Sequence, residues 1–272
     1  MSQYTFDTLA VELAEGIARV TLNRPEKRNA MNPRMHEEMH RLLAGLNADP
    51  EVHVIVITGA GKSFCAGADI KEFFNDLEGQ PEARAVIMEV ARQWMWEGIA
   101  GSPKATIAMI NGHCFGGGLL VALACDIAVA GSAALFGLPE INWGHVPGGA
   151  ASKKTIEAMG ARQALYYALT GENFDAETAA RTGLITKTVS QERLAEEVDA
   201  LAKTLAAKSP FAVRTVKEIY RAAPDLDMTI LHDFVAAKID QLRIRDTAGN
   251  RSKGMQDFIG KRLRTTAPMG EQ

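Results

Sequence analysis

The stretch ATIAMINGHCFGGGLLVALACD, residues 105–126, decides the fold predicted for this chain. Ala105–Ile110 is an apolar run of strand length, Asn111-Gly112 is a turn, and an apolar helix follows the glycines Gly116–Gly118. Small residues at a junction between a strand and a helix leave backbone N–H groups free and let a ligand approach them closely. The stretch therefore predicts a strand–turn–helix unit with a ligand site at its junction.

Similar units lie on both sides of this stretch. Predicted strands are Leu9–Leu13, Ile17–Leu22, Val52–Ile57, Asp126–Ala130 and Ala134–Phe136; predicted helices are the segment after Pro33, Asp69–Asn75 and Glu82–Ile99; Pro139–Pro147 is predicted as a long turn. Strands that alternate with helices indicate βαβ units and a largely parallel sheet. From about Gln191 the pattern is helical, at 191–208, 210–222, 227–246 and 249–259. We therefore expect an α/β chain that ends in a helical region.

The composition is that of an ordinary globular protein, with 272 residues, 47 % hydrophobic and 23 % charged. A net charge of −3 speaks against a dedicated nucleic-acid binder. The most apolar window, Leu119–Gly131, is too short to span a bilayer and contains Asp126. Cys65, Cys114 and Cys125 form no C-x-x-C pair, and no apolar leader is evident at the N-terminus. We expect a reduced, cytoplasmic protein that binds neither nucleic acid nor membranes.

Two short motifs imitate other sites. His36-Glu37-Glu38-Met39-His40 matches the H-E-x-x-H pattern of zinc proteases, but the predicted apolar stripe of this helix leaves both histidines towards solvent. No third ligand is evident downstream, so we predict no metal site. Gly61-Lys62-Ser63 resembles the end of a phosphate-binding loop, but Val56 stands where the first glycine is required. We interpret that segment as a surface turn.

Three segments carry the chemistry: Cys65–Lys71, Asn111–Gly118 and Phe136–Glu140. The first two place small residues where a strand gives way to a helix, and two converging N–H groups there would bind the oxygen of a thioester as it becomes an enolate. The third places Glu140 in an apolar segment, where the pKa of a carboxyl rises towards that of a working base. Taken alone, the triple glycine is more typical of a tight turn and Glu140 of an ion-paired structural carboxylate.

Together the three segments resemble the crotonase (enoyl-CoA hydratase/isomerase) superfamily, with further similarity at Leu22–Ala30 and Phe258–Arg262. The resemblance implies an α/β spiral of repeated ββα units over residues 1–200 and a helical trimerisation region over 201–272. It implies an acyl-CoA substrate, no separate cofactor and a homotrimer or dimer of trimers. The oxyanion-hole amides would be those of Ala68 and Gly117. Contacts with coenzyme A would come from Arg28, Ala30 and Ala66 and, from a neighbouring subunit, Phe258 and Lys261.

Within the superfamily, the resemblance is greatest to the hydroxycinnamoyl-CoA hydratase-lyases. The segments that match are Gln93-Trp94 with Trp96, Phe136–Leu138, Glu140–Gly144, Leu165–Tyr167 with Thr170-Gly171, and Ala237–Gln241. Those enzymes hydrate an aryl-conjugated double bond and then release an aromatic aldehyde and acetyl-CoA. Ordinary hydratases of the superfamily carry two glutamates, whereas this chain has Glu140 but Leu120 in place of the first. The resemblance assigns further substrate contacts to Ile70, Phe73, Leu120, Trp143, Gly144 and Ala236.

Two of these positions bear on the acyl group. Phe73 and Ala236 stand where the hydratase-lyases have tyrosines for a 4-hydroxyl group, so we expect a bulky or aryl enoyl-CoA without a phenol. The lead hypothesis is a hydratase, with or without lyase activity, that uses Glu140 alone. A Δ3,Δ2-enoyl-CoA isomerase is the alternative, because one carboxylate suffices to carry a proton between two carbons. A non-catalytic RNA-binding or scaffold protein is a more distant one.

Overall fold

The computed structural model describes residues 5–246 and 249–265, the latter without the side chains of 250, 257 and 261–265. The chain divides into two compact units, Met1–Ala207 and Lys208–Gln272. The boundary lies a few residues after the predicted one at 200/201. The role in oligomerisation predicted for the second unit remains a prediction.

The described residues form ten strands in two sheets. The strands are β1 (Leu9–Ala14), β2 (Ile17–Leu22), β3 (Val54–Gly59), β4 (Ser63–Cys65), β5 (Ala105–Ile110), β6 (His113–Phe115), β7 (Ile127–Gly131), β8 (Leu135–Gly137), β9 (Phe174–Asp175) and β10 (Lys187–Val189). The larger sheet has the order β1-β2-β3-β5-β7-β10, in which only the β1–β2 hairpin is antiparallel. The smaller sheet has the order β4-β6-β8-β9, with β9 antiparallel to β8.

The helices of the first unit are interspersed with the strands along the chain. They are α1 (Pro33–Ala48), α2 (Pro81–Arg92), α3 (Gly117–Ala124), α4 (Ala151–Met159), α5 (Ala161–Thr170), α6 (Ala176–Arg181) and α7 (Leu194–Ala206). The second unit contains α8 (Pro210–Ala222), α9 (Met228–Arg245) and α10 (Asn250–Thr265). π-Helical turns span Ile70–Asn75 and Gln93–Ala100, and 3-10 turns span Pro25–Lys27, Pro139–Trp143, Gln191–Arg193 and Ala223–Asp225.

The first unit repeats one pattern along the chain. In each of the pairs β3/β4, β5/β6 and β7/β8, the first strand enters the larger sheet and the second enters the smaller one. β3 and β5 are buried on both faces, as their continuous apolar runs predict for central parallel strands. The α/β fold of repeated ββ units followed by helical segments, with helices at the C-terminus, is therefore confirmed.

Several details differ from the prediction. The predicted helix Glu82–Ile99 is an α-helix only to Arg92, after which it widens; the N–H of Gly101 donates to the carbonyl of Trp96, five residues back, at 2.8 Å. Helices α4, α5 and α6 lie in a segment for which the pattern predicts no element. Among the described residues, no helix is long and apolar enough to cross a membrane.

The prediction that His36 faces solvent is wrong. Its side chain is 2 % exposed, whereas His40 is exposed as predicted. His36 lies three residues before Met39 and seven before Leu43, so it shares their buried face of α1. Trp94 packs against it and donates a hydrogen bond from Nε1 to Nδ1 of His36 at 3.0 Å. Within the described part of the chain, no group of three His, Cys, Asp or Glu side chains forms a metal site.

Candidate active site

The first unit contains a cavity of about 1000 Å³. Its wall is built from the loop before the first π-helical turn, one face of α2, the start of α3 and the 3-10 turn after β8. The three segments that the sequence singles out for chemistry therefore meet at one place. The residues of those segments in the wall are Ala66, Gly67, Ala68, Ile70, Gly116, Gly117, Pro139 and Glu140.

Two backbone amides come close together in the cavity wall. A β-carbon added to Gly117 would lie 3.6 Å from the amide nitrogen of Ala68, and one added to Gly67 would lie 3.3 Å from the amide nitrogen of Gly117. Gly67 has φ +99°, which turns the chain so that Ala68 faces α3. Within the described residues, neither the Ala68 nor the Gly117 N–H donates a backbone hydrogen bond. This geometry leaves both N–H groups for a ligand oxygen.

The loop that carries Ala68 is fixed on both sides. Met31 donates from its N–H to the carbonyl of Gly67 at 2.7 Å, and Asp69 donates from its N–H to the carbonyl of Met31 at 2.8 Å. Met31 is itself buried and its Cε lies against Gly117. The short bridge between Met31 and Ala68 therefore sets the distance between the loop and the start of α3.

Two ion pairs of the buried Arg24 hold the same loop in place. Arg24 Nη1 donates to Asp69 Oδ2 at 3.0 Å, and Arg24 Nη2 donates to Glu72 Oε1 at 2.6 Å. Asp69 Oδ1 accepts from the N–H groups of Lys71 and Glu72, both at 3.0 Å, and so caps the π-helical turn. Burial alone would raise the pKa of Asp69, but the hydrogen bonds from Glu72 and Arg24 outweigh it and hold the pKa below its ordinary value. Asp69 is therefore a charged structural group.

Glu140 is the carboxylate placed next to the two amides. It lies half-buried at the start of the 3-10 turn Pro139–Trp143, and its Oε1 packs against Gly116. Its Oε2 is buried and, among the residues described, has no hydrogen-bond partner. Burial raises the pKa of the Glu140 carboxyl above its ordinary value, although an interaction with its own backbone opposes the shift. Because Glu140 forms no ion pair with any described residue, the structure does not support the interpretation of a salt-bridged structural carboxylate.

Aromatic side chains form another part of the cavity wall. Phe73 is buried and contacts Phe74 edge-on, with ring centroids 5.2 Å apart. Phe74 contacts Trp143 in the same way at 5.5 Å, and Trp143 stacks on His145 at 4.8 Å. This side of the cavity fits a flat or branched apolar group.

The described residues of the predicted substrate site fall into three groups. Ile70, Phe73, Leu120 and Trp143 lie in the cavity wall, and the chain turns at Gly144 directly after Trp143. Arg28 and Ala30 lie beside Ala66, whose N–H donates to the carbonyl of Arg28 at 3.0 Å, but of these three only Ala66 lines the cavity. Ala236 and Phe258 lie in α9 and α10 of the second unit and are exposed; the side chain of Lys261 lies outside the described residues.

Some wall residues escape the sequence analysis. The missed residues of α2 and of the π-helical turn after it share one helical face. Their helical spacing is a signal that is present in the sequence. His36 is the other important omission, and its signal is the same spacing relative to Met39 and Leu43. The missed residues of the helical face are Arg84, Ala85, Met88, Glu89, Ala91, Arg92 and Met95.

Cys65, which directly precedes the loop, is not a candidate nucleophile. It is fully buried, and that burial raises the pKa of its thiol to about 12. The group is therefore a neutral thiol at physiological pH.

Comparison with known proteins decides the family. The sequence profile of the family described as enoyl-CoA hydratase/isomerase matches residues 12–265. The chain belongs to this family. It is accordingly an enzyme of the enoyl-CoA hydratase type, as the resemblance predicts.

Individual relatives of this enoyl-CoA hydratase family member match along most of their length. A hydroxycinnamoyl-CoA hydratase-lyase from Pseudomonas fluorescens is 43 % identical over 262 residues, which is 95 % of each chain. A mevalonyl-coenzyme A hydratase from Aspergillus fumigatus is 35 % identical over 252 residues, 90 % of this chain and 89 % of that one. The crystal structure of an enoyl-CoA hydratase subunit from Geobacillus kaustophilus superimposes with a TM-score of 0.85 at 31 % identity, covering 94 % of this chain and 96 % of that one.

Proposed function

We propose that the protein hydrates a bulky or aryl enoyl-CoA and cleaves the hydrated product to an aldehyde and acetyl-CoA, with Glu140 as its proton-transfer group. One observation carries this proposal. The half-buried Glu140 carboxylate, whose Oε2 has no hydrogen-bond partner in the described part of the chain, lies against Gly116, directly before Gly117, whose N–H donates no backbone hydrogen bond there. A base and an oxyanion site therefore face the same small volume, which is what addition to a thioester-conjugated double bond requires.

In the hydration step, the thioester oxygen accepts hydrogen bonds from the N–H groups of Ala68 and Gly117. Glu140 removes a proton from water, the water oxygen bonds to C3, and the electron pair of the double bond moves onto the thioester oxygen as an enolate. Protonated Glu140 then delivers the proton to C2. The carboxylate is regenerated, so a single acid–base group completes the cycle.

In the cleavage step, Glu140 removes the proton of the new C3 hydroxyl group. The bond between C2 and C3 breaks, which releases an aldehyde and leaves the enolate of acetyl-CoA on the same two amides. Glu140 returns its proton to C2 of that enolate. Hydration and cleavage thus use the same two amides and the same carboxylate.

Properties of the cavity support the choice of acyl group. Its volume is about 1000 Å³, and Phe73, Trp96 and Trp143 supply aromatic surface. Burial of an apolar ring there contributes about 25 cal/mol per Å² of surface removed from water. Neither Phe73 nor Leu120 offers a hydroxyl group to a phenol, so a phenolic O–H left unpaired there would cost on the order of 1–3 kcal/mol. A non-phenolic enoyl-CoA should therefore have the higher kcat/KM.

Isomerisation is the second candidate, and the same observation favours it. A lone carboxylate can remove a proton from C2 of a Δ3-enoyl-CoA and return it to C4, with the enolate on the same amides. An isomerase has no use for a water beside Glu140, whereas a hydratase must admit one.

The proposal extends to coenzyme A and to assembly. Arg28, Ala30 and Ala66 would contact the carrier, with Phe258 and Lys261 added by a neighbouring subunit of a homotrimer or dimer of trimers. Coenzyme A would enter as part of the substrate, with no separate cofactor. Light scattering in solution gives the subunit number, and a monomer would remove the neighbour's contribution.

The decisive experiment is a screen of acyl-CoA thioesters with mass spectrometry of the products. Hydration adds the mass of one water to the thioester, cleavage yields acetyl-CoA and an aldehyde, and isomerisation leaves the mass unchanged but conjugates the double bond with the thioester, which changes its ultraviolet absorbance. Cinnamoyl-, 4-hydroxycinnamoyl-, crotonyl- and 3-hexenoyl-CoA cover these alternatives. Failure of every thioester to react would contradict the proposal.

A further inference from the structure

His36 places one polar group in the apolar part of the cavity wall. The ring lines the cavity but is 2 % exposed overall. Phe73 and Trp94 pack around it, with ring centroids 5.6 and 6.0 Å away. It is the only cavity-wall residue with a polar side chain that is buried to this degree within the described chain.

The contact with Trp94 fixes which ring nitrogen of His36 carries a proton. An indole N–H can only donate, so Nδ1 of His36 must be the unprotonated acceptor of the 3.0 Å hydrogen bond. The proton of the neutral ring therefore lies on Nε2. Burial lowers the pKa of His36 from 6.5 to about 4, which keeps the ring neutral at physiological pH.

No described residue forms a hydrogen bond with Nε2, and Nε2 is not one of the fully enclosed side-chain atoms that lack a partner. Because the ring lines the cavity, this nitrogen is accessible from it. An N–H donor that faces a largely apolar cavity gains a hydrogen bond when a ligand supplies an acceptor. The neutral ring has a donor to offer but no further acceptor, because Nδ1 is occupied by Trp94. The ligand atom that accepts the hydrogen bond from Nε2–H should therefore be an oxygen that carries no proton of its own.

We propose that His36 is a specificity-determining residue whose Nε2–H donates to an ether or carbonyl oxygen on the acyl group of the substrate. The inference rests on the proposed function and narrows its substrate class. The hydrogen bond from Nε2–H distinguishes an aryl ether from a phenol, because a phenolic oxygen that accepts it still needs an acceptor for its own proton. Phe73, the aromatic neighbour of His36 in the wall, offers none.

The test compares cinnamoyl-CoA, 4-methoxycinnamoyl-CoA and 4-hydroxycinnamoyl-CoA. The quantity of interest is the ratio of kcat/KM for the methoxy and unsubstituted thioesters, together with the same ratio from Kd values. We expect about 5- to 100-fold in favour of the methoxy thioester for the wild type. The phenol should fall below the methoxy compound.

The variants separate the hydrogen bond from the packing. His36→Leu combined with Trp94→Phe removes donor and acceptor together, so no polar group is left unpaired, and the ratio should fall to that set by ring electronics alone. His36→Gln keeps an acceptor for Trp94 and a donor for the cavity, so it should retain the preference. His40→Leu is the matched control, because His40 is exposed on the same helix.

The outcomes test the role of His36 and the proposed function separately. A ratio that is unchanged in the double variant, or that falls equally in His40→Leu, would overturn the role of His36 while leaving the proposed function intact. A wild-type preference for the phenol would also overturn it. Failure of all three thioesters to bind would overturn the proposed function and this inference together. Because each ratio is measured within one variant, a general loss of folded protein does not change it.

Discussion

The Cα of Gly116 lies so close to Glu140 that a β-carbon on residue 116 would be 2.5 Å from Glu140 Oε1. Gly116 also has φ +50° and ψ −118°, a conformation that residues with a β-carbon rarely adopt. The residue directly before α3 therefore sets the position of the carboxylate. Since α3 also supplies the Gly117 amide, one turn positions both the base and one oxyanion donor.

Gly116→Ala should impair catalysis through this contact. The added methyl group displaces the Glu140 carboxylate, and a displacement of about 1 Å is expected to lower kcat about 10²-fold. Gly79→Ala is the matched control, because Gly79 has φ +76° but no heavy atom within 4 Å of an added β-carbon. Steady-state kinetics and melting temperatures of both variants give the comparison. Equal kcat in the two variants would show that the contact with Glu140 has no effect on turnover.

The raised pKa of Glu140 predicts the acidic limb of the pH profile. The carboxylate must be ionised to accept a proton from water, and burial disfavours the ionised form. kcat/KM should therefore fall as the pH drops through a value above 4.5, the ordinary pKa of a glutamate. The profile is measured between pH 4 and 8 with one thioester. A plateau that extends down to pH 4.5 would contradict the assignment.

His36 predicts a loss of stability in acid. Its pKa is about 4 in the native protein and 6.5 in an unfolded chain, so the unfolded state binds more protons between these values. Stability should therefore decrease as the pH falls from 6.5 to 4, by about 3 kcal/mol for this group. Urea denaturation of the wild type and His36→Gln at several pH values isolates the effect. Parallel curves for the two proteins would mean that His36 does not titrate in this way.

Arg24 links the stability of the protein to its oxyanion site. The side chains of Arg24 and Asp69 are about one-tenth exposed. Removal of the arginine leaves the buried carboxylate of Asp69 without its cationic partner. Arg24→Met should lower the free energy of unfolding by about 3–5 kcal/mol and reduce kcat as well, since the Ala68 loop loses its support. Arg243→Met breaks an exposed pair with Asp240 and should change stability by less than about 1 kcal/mol. Similar losses in both variants would argue against the network.

The sequence predicts most of the fold because the central strands are chemically simple. β3 and β5 are continuous apolar runs, and such runs have few alternatives in a chain that alternates strands and helices. β4 and β6 have three residues each, too short for any periodicity to appear. Their positions depend on pairing with β8 and with each other, which is a property of the tertiary structure.

The residues of the candidate site also differ in how well the sequence predicts them. Glu140, Ala68 and Gly117 are named from motifs and from the family resemblance, and the structure brings them to one cavity. His36 is missed because its burial depends on Trp94, 58 residues further along the chain. The helical wheel of α1 puts His36 at the edge of the apolar stripe, beside Leu43, and Trp94 completes its burial. The spacing relative to Leu43 is a local signal, but the contact with Trp94 has none.

Glu140→Gln shows whether Glu140 transfers the proton, because it keeps the shape of the side chain and removes only its capacity to move a proton. The measurement is kcat for an enoyl-CoA that the wild type converts, alongside the Kd of its saturated analogue. We predict that kcat falls about 10²- to 10⁴-fold or more while the Kd stays within about threefold. Glu89→Gln, which alters another wall carboxylate that is paired with Arg92, should keep most of its turnover. A folded Glu140→Gln variant with turnover close to that of the wild type would contradict the account.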